Sequence, residues 1–177
     1  MRCACVATVE MSTYCKHSEA TAIIAAPAET VFAFMDDPSH LGAHMGRHSF
    51  VMGGISMRTQ TDARGGRAVG SVIRMSGRMW GLEFSLEEAV VERRKGQRKV
   101  WETLGDPRLL VIGRYRMGFE VQPTDRGTQL RVWIDFDLPA RGLQHGLGRI
   151  LGSFYAHWCV RQMVREAERT LKRRIQK

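Results

Sequence analysis

Residues 142–177 read GLQHGLGRILGSFYAHWCVRQMVREAERTLKRRIQK. No proline interrupts this run, and its glycines stand near its start, at Gly142, Gly146, Gly148 and Gly152. Arginine, lysine, glutamate, leucine and methionine make up about half of the remainder, and these residue types favour helix. Basic residues crowd the end, where cations suit the helix dipole. The stretch therefore predicts one long helix of roughly 45 Å, at 1.5 Å for each of some thirty residues.

The apolar residues of this stretch fall on two faces when they are counted at about 100° per residue. The face of the first half comprises Leu147, Ile150, Leu151, Phe154 and Trp158. The face of the second half, rotated by roughly half a turn, comprises Val160, Val164, Ala167, Leu171 and Ile175. We expect the first half to need a broad apolar partner, which a curved sheet made by the middle of the chain would supply.

Composition places the chain among ordinary globular proteins of one domain, with 177 residues, 44% hydrophobic and 25% charged. No apolar run approaches the roughly 18 residues of a membrane span. The N-terminus lacks a sustained apolar core followed by a small-residue cleavage site, so the cytoplasm is the expected location. We expect residues 1–17 to be a flexible leader, in which Met11 could be the natural start, and residues 18–177 to be a single domain.

The cysteines and histidines do not predict a metal site or any other cofactor. The leader holds three of the four cysteines and one histidine at a spacing unlike that of structural zinc sites: Cys3, Cys5, Cys15 and His17. A disulfide framework is not expected in a chain of this kind. His40, His44 and His48 recur every four residues, but they would span about 12 Å along a helix, too far to converge on one ion. We expect exposed histidines, with His44 as a polar group at the entrance of a cavity.

The formal net charge of +9 raises the question of nucleic-acid binding. The basic residues are scattered, except in residues 92–99 (ERRKGQRK) and in the last helical turns. The first cluster indicates a hairpin turn centred on Gly96, and the second a solvated helix end. No helix-turn-helix, zinc-finger or aromatic RNA-binding signature accompanies them. A solvated basic surface is the expected structure, and nucleic acid is not an expected partner.

Most of the remaining chain predicts strands. Residues 18–26 form a first strand, a helix begins at Pro27, and a short second helix over residues 39–45 follows with Ser39 as its cap. Further strands are predicted at 50–61, 68–76, 79–92, 98–104, 109–122 and 128–138. Short strands joined by turn-forming residues, without crossover helices, indicate an antiparallel meander.

Alternation gives each of the later strands one apolar face. In the last strand this face comprises Leu130, Val132, Ile134, Phe136 and Leu138, opposite Arg131, Trp133, Asp135 and Asp137. In the strand before it the apolar face comprises Val111, Tyr115, Met117, Phe119 and Val121. Between residues 79 and 92 it comprises Trp80, Leu82, Phe84 and Leu86, opposite Glu83 and Glu87. One buried side suits a sheet curled over one helix.

The order of one strand, two short helices, six strands and a long helix resembles the helix-grip fold of the START-like superfamily, also called SRPBCC. The resemblance rests on residues 22–38 (AIIAAPAETVFAFMDDP) and on Trp158 with residues 159–163 (CVRQM), and covers roughly residues 18–175. It is strongest to the bacterial polyketide cyclase/dehydrase and lipid-transport branch. The expected class is α+β, with a curved antiparallel sheet of about seven strands and a long C-terminal helix packed across it.

The resemblance implies a cavity between sheet and helix that holds an apolar or aromatic small molecule. Inward aromatic and methionine side chains agree with this, although core packing is the alternative explanation for each. The candidate ligand-binding residues are His44, Met45, Trp80, Phe84, Trp101, Thr103, Tyr115, Met117, Phe119, Phe154, His157 and Trp158.

Three functions stay open, because the superfamily includes cyclases, carriers and receptors on one fold. The first choice is binding or carriage of a hydrophobic or aromatic molecule. The second is a polyketide cyclase or dehydratase, in which Tyr115 or His157 transfers the proton; His157 could instead be a core histidine. The third, suggested by the basic helix end, is a lipid carrier at a membrane surface.

Overall fold

Seven antiparallel strands and a long helix make up the fold. The computed structural model describes residues 14–40, 56–79, 82–109, 111–139 and 143–175. The helices are α1 (Ala28–Asp36) and α2 (Leu143–Ile175). The strands are β1 (Lys16–Ile24), β2 (Ser56–Thr61), β3 (Val72–Met79), β4 (Leu82–Arg94), β5 (Arg98–Arg108), β6 (Tyr115–Thr124) and β7 (Gly127–Phe136).

The strands form one sheet in the order β1-β7-β6-β5-β4-β3-β2. Strands β2 to β7 are a meander of hairpins, and β1 adds to the far edge by pairing with β7. The β4–β5 register shifts between Ser85 and Glu87 and again between Val90 and Glu92. Such irregularities bend a strand and increase its twist, which helps the sheet to curve. The predicted α+β helix-grip architecture is confirmed.

The concave side of the sheet carries the core, as the alternation predicts. On β6 and β7 the inward side chains are almost completely buried, among them Phe119, Val121, Leu130, Val132 and Phe136. Val31, Phe32 and Met35 of α1 join the same cluster. Trp133 points the other way, where the guanidinium groups of Arg98 and Arg131 lie over its ring. The inward face of the sheet therefore meets both helices.

The packing face of α2 differs from the prediction in its first half. In the second half four of the five predicted residues are buried, namely Val160, Val164, Ala167 and Leu171. In the first half Leu151 and Phe154 were predicted to pack on the sheet, but they are 43% and 72% exposed, so that prediction is wrong. Gly152 and Ala156 are buried there instead. A Cβ on Gly152 would lie 2.8 Å from the carbonyl oxygen of Val111, so this close approach requires glycine.

The basic run 92–99 forms the predicted turn, with Gly96 in the left-handed region at a φ of 76°, but it is not wholly solvated. Lys99 is fully buried, and its Nζ lies 2.9 Å from Asp36 Oδ1 and donates to the Asp36 carbonyl oxygen at 2.9 Å. Arg93 donates to the same carboxylate through Nε at 3.1 Å and Nη2 at 2.7 Å. These bonds fasten the end of α1 to the sheet.

Residues 38–40 are also helical. Asp37 caps this turn, since its Oδ1 accepts hydrogen bonds from the Ser39 amide at 2.9 Å and the Ser39 hydroxyl at 2.7 Å. The prediction of Ser39 as the cap is therefore wrong. The rest of the predicted second helix, with His44, lies outside the described residues.

Candidate functional site

A cavity of about 80 Å³ lies between the sheet and α2. Most of its wall is apolar and includes Ile73, Met75, Trp101, Met117, Ile134 and Met163. The polar groups on its wall belong to Thr59, Glu88, Tyr115, Tyr155 and Cys159. A cavity of about 150 Å³ admits benzene, so a ring-sized guest requires some of these side chains to move. The three methionines suit such adjustment, because their unbranched side chains repack readily.

Glu88 is the most unusual group on the cavity wall. It follows Phe84 and Leu86 on the inward face of β4 by two-residue alternation and is 3% exposed. The Tyr115 hydroxyl donates a hydrogen bond to its Oε1. The side chain of Trp101 also hydrogen-bonds to it, through the indole N–H that is the donor of a tryptophan side chain. Three neighbouring strands thus place a carboxyl, a phenol and an indole at one point.

The electrostatics of this group favour proton exchange near neutral pH. Burial raises the pKa of Glu88 to about 7, although the hydrogen bonds from Tyr115 and Trp101 and the charge of Lys99 act in the opposite direction. Burial and the neighbouring Glu88 raise the pKa of Tyr115 well above its ordinary value. Tyr115 therefore keeps its proton, whereas Glu88 populates both of its protonation states at neutral pH.

Cys159 and Tyr155 form a second polar contact on the cavity wall. Burial raises the pKa of the Cys159 thiol to about 12, although a hydrogen bond with Tyr155 opposes this. The charge of Cys159 and burial raise the pKa of Tyr155. Since the thiolate is the nucleophilic form of cysteine, this buried thiol is unreactive at neutral pH.

The predicted residues on β5 and β6 lie at or beside the cavity. Trp101, Tyr115 and Met117 line it. Thr103 positions Tyr115, because its hydroxyl accepts a hydrogen bond from the Tyr115 amide at 3.1 Å. Phe119 is fully buried behind Trp101, with ring centroids 6.3 Å apart.

The predicted residues on α2 do not gather around Tyr115. Phe154 is exposed to solvent. His157 is exposed as well, with Nδ1 3.4 Å from the Ser18 hydroxyl on β1. Trp158 is half-buried and stacks on Tyr155 at 6.2 Å between ring centroids. The two residues predicted to be catalytic, Tyr115 and His157, are therefore in different surroundings.

The remaining predicted residues lie on β4 or outside the description. Phe84 is buried on β4 but is not part of the cavity wall. His44, Met45 and Trp80 lie outside the described residues. In the described part of the chain, no three histidine, cysteine or acidic residues are grouped so as to hold a metal ion. None of the helices in that part is long and apolar enough to cross a bilayer.

Glu88 is the functional candidate that the sequence reasoning missed. Glu83 and Glu87 were assigned to the outward face of this strand, and the structure leaves both exposed. Glu88 has the opposite parity, which it shares with Phe84 and Leu86. A carboxylate at an inward position of an alternating strand was the signal, because such a group is buried only at a cost unless something compensates it.

Solved structures share this fold over nearly the whole chain. The Zhui aromatase/cyclase of a Streptomyces species is 17% identical, with a TM-score of 0.67 over 90% of this chain and 95% of that chain. A Thermus thermophilus protein is 16% identical, with a TM-score of 0.64 over 88% and 97%. Norcoclaurine synthase from Thalictrum flavum is 14% identical, with a TM-score of 0.58 over 88% and 86%. At these identities the likeness establishes the fold alone.

Sequence comparison establishes the family. No curated protein matches the chain. The family model for polyketide cyclase / dehydrase and lipid transport, however, matches residues 16–176. This range contains every described strand and the whole of α2, and it agrees with the START-like resemblance of the sequence. The chain belongs to the polyketide cyclase/dehydrase and lipid transport family.

Proposed function

We propose that the chain binds a small apolar or aromatic molecule in the cavity between the sheet and α2, with the polar group of that molecule on Glu88 and Tyr115. The observation that carries the proposal is a buried carboxyl–phenol pair on the wall of a mostly apolar cavity. Ligand pockets commonly combine apolar walls with a few placed polar groups. The cytoplasm stays the expected location.

The hydrogen bonds already made by the pair define the polar group that the guest must offer. Tyr115 donates its hydroxyl hydrogen in a bond to Glu88, so its oxygen can still accept a hydrogen bond. The ionised form of Glu88 accepts as well. A guest with a hydroxyl donor, such as a phenol or an enol, is therefore favoured over an ether or a hydrocarbon of the same shape.

Binding of naphthol, compared with that of its methyl ether, tests this proposal. We expect naphthol to bind at least about tenfold more tightly, since a buried carboxyl that loses a hydrogen-bond partner costs about 1–3 kcal/mol. Naphthol should also shift the indole N–H resonance of Trp101, assigned with Trp101→Phe. Titration calorimetry and heteronuclear NMR measure the two effects.

Two variants complete this test. Glu88→Leu should abolish the discrimination between naphthol and its ether. Glu87→Gln, which changes the adjacent exposed carboxylate that pairs with Arg74 at 2.7 Å, should preserve it. Equal affinity of the wild type for the two compounds, or an unmoved Trp101 resonance, would contradict the proposal.

A second candidate function is proton transfer in cyclisation or dehydration of a polyketide-like molecule. It is favoured by the Glu88 pKa of about 7, which suits a general acid or base at neutral pH, and one structural neighbour is named as an aromatase/cyclase. The Glu88 carboxylate would take a proton from a carbon beside a carbonyl. The resulting carboxylic acid would give this proton to a departing hydroxyl, which leaves as water, while Tyr115 holds the carboxyl in place.

Mass spectrometry of a small β-hydroxy ketone incubated with the protein distinguishes catalysis from binding. Catalysis predicts the loss of one water, a rate that changes with pH near 7, and loss of turnover in Glu88→Gln with binding retained. The exposed His157 provides the control, because His157→Ala should leave turnover unchanged. An unaltered compound recovered from the wild type would favour carriage over catalysis.

A further inference from the structure

The solvent side of α2 carries a continuous stripe of large side chains. Counting by steps of three or four residues keeps them on one helix face, opposite the buried residues of the second half. The stripe, called the outer stripe below, comprises Leu151, Phe154, Trp158, Arg161, Arg165, Arg169 and Lys172. Its first three members are apolar and its last four are cations, so the two kinds of chemistry are separated along the helix.

The apolar end of the outer stripe is open to solvent. Phe154 is 72% exposed and Leu151 is 43% exposed, one helical turn apart. Trp158 is half-buried and extends the same face. Single exposed apolar residues are ordinary on protein surfaces, but a contiguous aromatic and aliphatic patch marks an interaction surface.

The basic end is exposed along its whole length. Arg161, Arg165, Arg169 and Lys172 are all exposed, and together they extend about 16 Å along the axis at 1.5 Å per residue. Two acidic residues, Glu166 and Glu168, stand among them. Residues 161–175 contain six arginines and lysines and only these two acidic residues, so this half of the helix has a net positive charge.

An anionic lipid surface is the partner that fits both ends at once. Nucleic acid would satisfy the cations but offers little to an exposed phenylalanine and leucine. A bilayer offers phosphate groups to arginine and lysine and an apolar boundary to Phe154 and Leu151, as for helices that lie in the membrane interface. We propose that α2 docks through its outer stripe on anionic lipid bilayers, with Phe154 inserted at the acyl boundary.

Docking in this orientation has a consequence for the cavity. The opposite side of the same helix contributes Cys159 and Met163 to the cavity wall. The cavity would then lie about one helix diameter, roughly 10 Å, from the lipid surface. A guest that partitions into lipid would have a short path to it. The docking proposal itself does not depend on cavity binding, because it rests on the outer stripe alone.

Co-sedimentation with vesicles tests the docking. We compare vesicles of phosphatidylcholine with vesicles of phosphatidylcholine and phosphatidylglycerol in equal parts. The wild type should bind the anionic vesicles at least about tenfold more tightly than the neutral ones, since each basic residue near the surface is worth roughly fivefold. Binding should weaken as salt is raised, because salt screens the cations.

Three variants assign the binding to the outer stripe. The double variant Arg161→Glu and Arg165→Glu should lose at least about tenfold in affinity for the anionic vesicles. Phe154→Ser should lose about fivefold on both kinds of vesicle, because it removes insertion and no charge. The control pair Lys95→Glu and Arg126→Glu makes the same charge change in two exposed turns outside α2 and should keep most of the binding.

Several results would overturn the docking proposal. One is equal binding to neutral and anionic vesicles, and another is an equal loss in the control pair, which would mean that net charge alone is responsible. A third is a wild type that binds no vesicles and forms a stable dimer in light scattering, with the dimer lost in Phe154→Ser. The outer stripe would then be the contact between two copies of the chain. Naphthol binding is measured on the same variants. If vesicle binding fails while naphthol still binds, the docking proposal is wrong and the cavity proposal is unaffected.

Discussion

At the scale of single residues, Glu88 decides how stability depends on pH. Its pKa rises from 4.5 to about 7 on folding. Between these two values the folded state binds more protons than the unfolded state, so the free energy of unfolding falls as pH rises through this window. At 1.36 kcal/mol per pKa unit, the raised pKa of Glu88 is worth about 3 kcal/mol of unfolding free energy below this pH window, and this contribution is lost above it.

The first residue-scale prediction compares Glu88→Gln with the wild type. The glutamine fills the same space but does not titrate. The free energy of unfolding of Glu88→Gln minus that of the wild type should therefore increase by about 3 kcal/mol from pH 4 to pH 8. The carboxylates that both proteins share, such as Asp36, cancel in this difference. Urea denaturation at several pH values measures it. Glu87→Gln, at an exposed position, should show almost no such gain, and a flat difference for Glu88→Gln would refute the raised pKa.

Sequence reasoning was uneven at this scale. Alternation along the strands placed Tyr115 and Met117 inward, and both line the cavity together with the candidate residue Trp101. The same rule would have placed Glu88 inward, but glutamates are usually solvated and it was not applied to this one. His157 was judged by its nearness to an apolar helix face. That face is exposed to solvent, and the sequence pattern gave no sign that His157 is exposed with it.

At the scale of elements, the attachment of α1 to the sheet depends on a buried ion cluster. Lys99 of β5 and Arg93 of β4 both bond to the carboxylate of Asp36, the last residue of α1. Burial raises the pKa of Asp36, but the hydrogen bonds and charges of Arg93 and Lys99 outweigh it and hold the pKa below its ordinary value. The cluster therefore stabilises the fold above the ordinary Asp pKa and loses that contribution as pH falls through the lowered value.

The element-scale prediction concerns Lys99→Met. The methionine keeps much of the buried volume but leaves Asp36 with Arg93 alone, and breaking a buried ion pair costs about 3–5 kcal/mol. Chemical denaturation at neutral pH measures the loss. Adding Asp36→Asn should recover part of it, because the unpaired charge is then gone. Lys95→Met in the exposed turn serves as the control and should cost less than about 0.5 kcal/mol; a similar cost for the two lysines would contradict the role given to the cluster.

Element boundaries and element faces were not equally predictable. Turn residues such as Gly96 marked the hairpins, because a left-handed conformation favours glycine. The buried face of the first half of α2 was misjudged, because hydrophobic periodicity gives no weight to the glycine and alanine that pack there. Leu151 and Phe154 carried the apolar signal although they face solvent. Hydrophobic periodicity identifies an apolar stripe on a helix, but it does not show whether the sheet or solvent contacts that stripe.

At the scale of the whole molecule, topology was predictable and empty volume was not. A meander of strands and one long helix leave few arrangements that bury a single apolar face of the sheet. The volume left between sheet and helix depends on side-chain rotamers and on how closely Gly152 lets α2 approach the Val111 carbonyl. The sequence pattern of apolar and polar residues specifies neither the rotamers nor this distance of approach. The cavity of about 80 Å³ thus follows from three-dimensional packing.

Cys159→Leu tests whether the guest binds in this cavity. The larger side chain should occupy the cavity but lose the hydrogen bond with Tyr155, so the free energy of unfolding should change by no more than about 1 kcal/mol. Naphthol affinity should fall at least about tenfold. Cys159→Ser is the control of matched size, and its hydroxyl can keep the hydrogen bond with Tyr155. Calorimetry and urea denaturation on the three proteins measure both quantities. A side chain and a guest cannot occupy one space, so undiminished naphthol binding in Cys159→Leu would move the binding site elsewhere on the molecule.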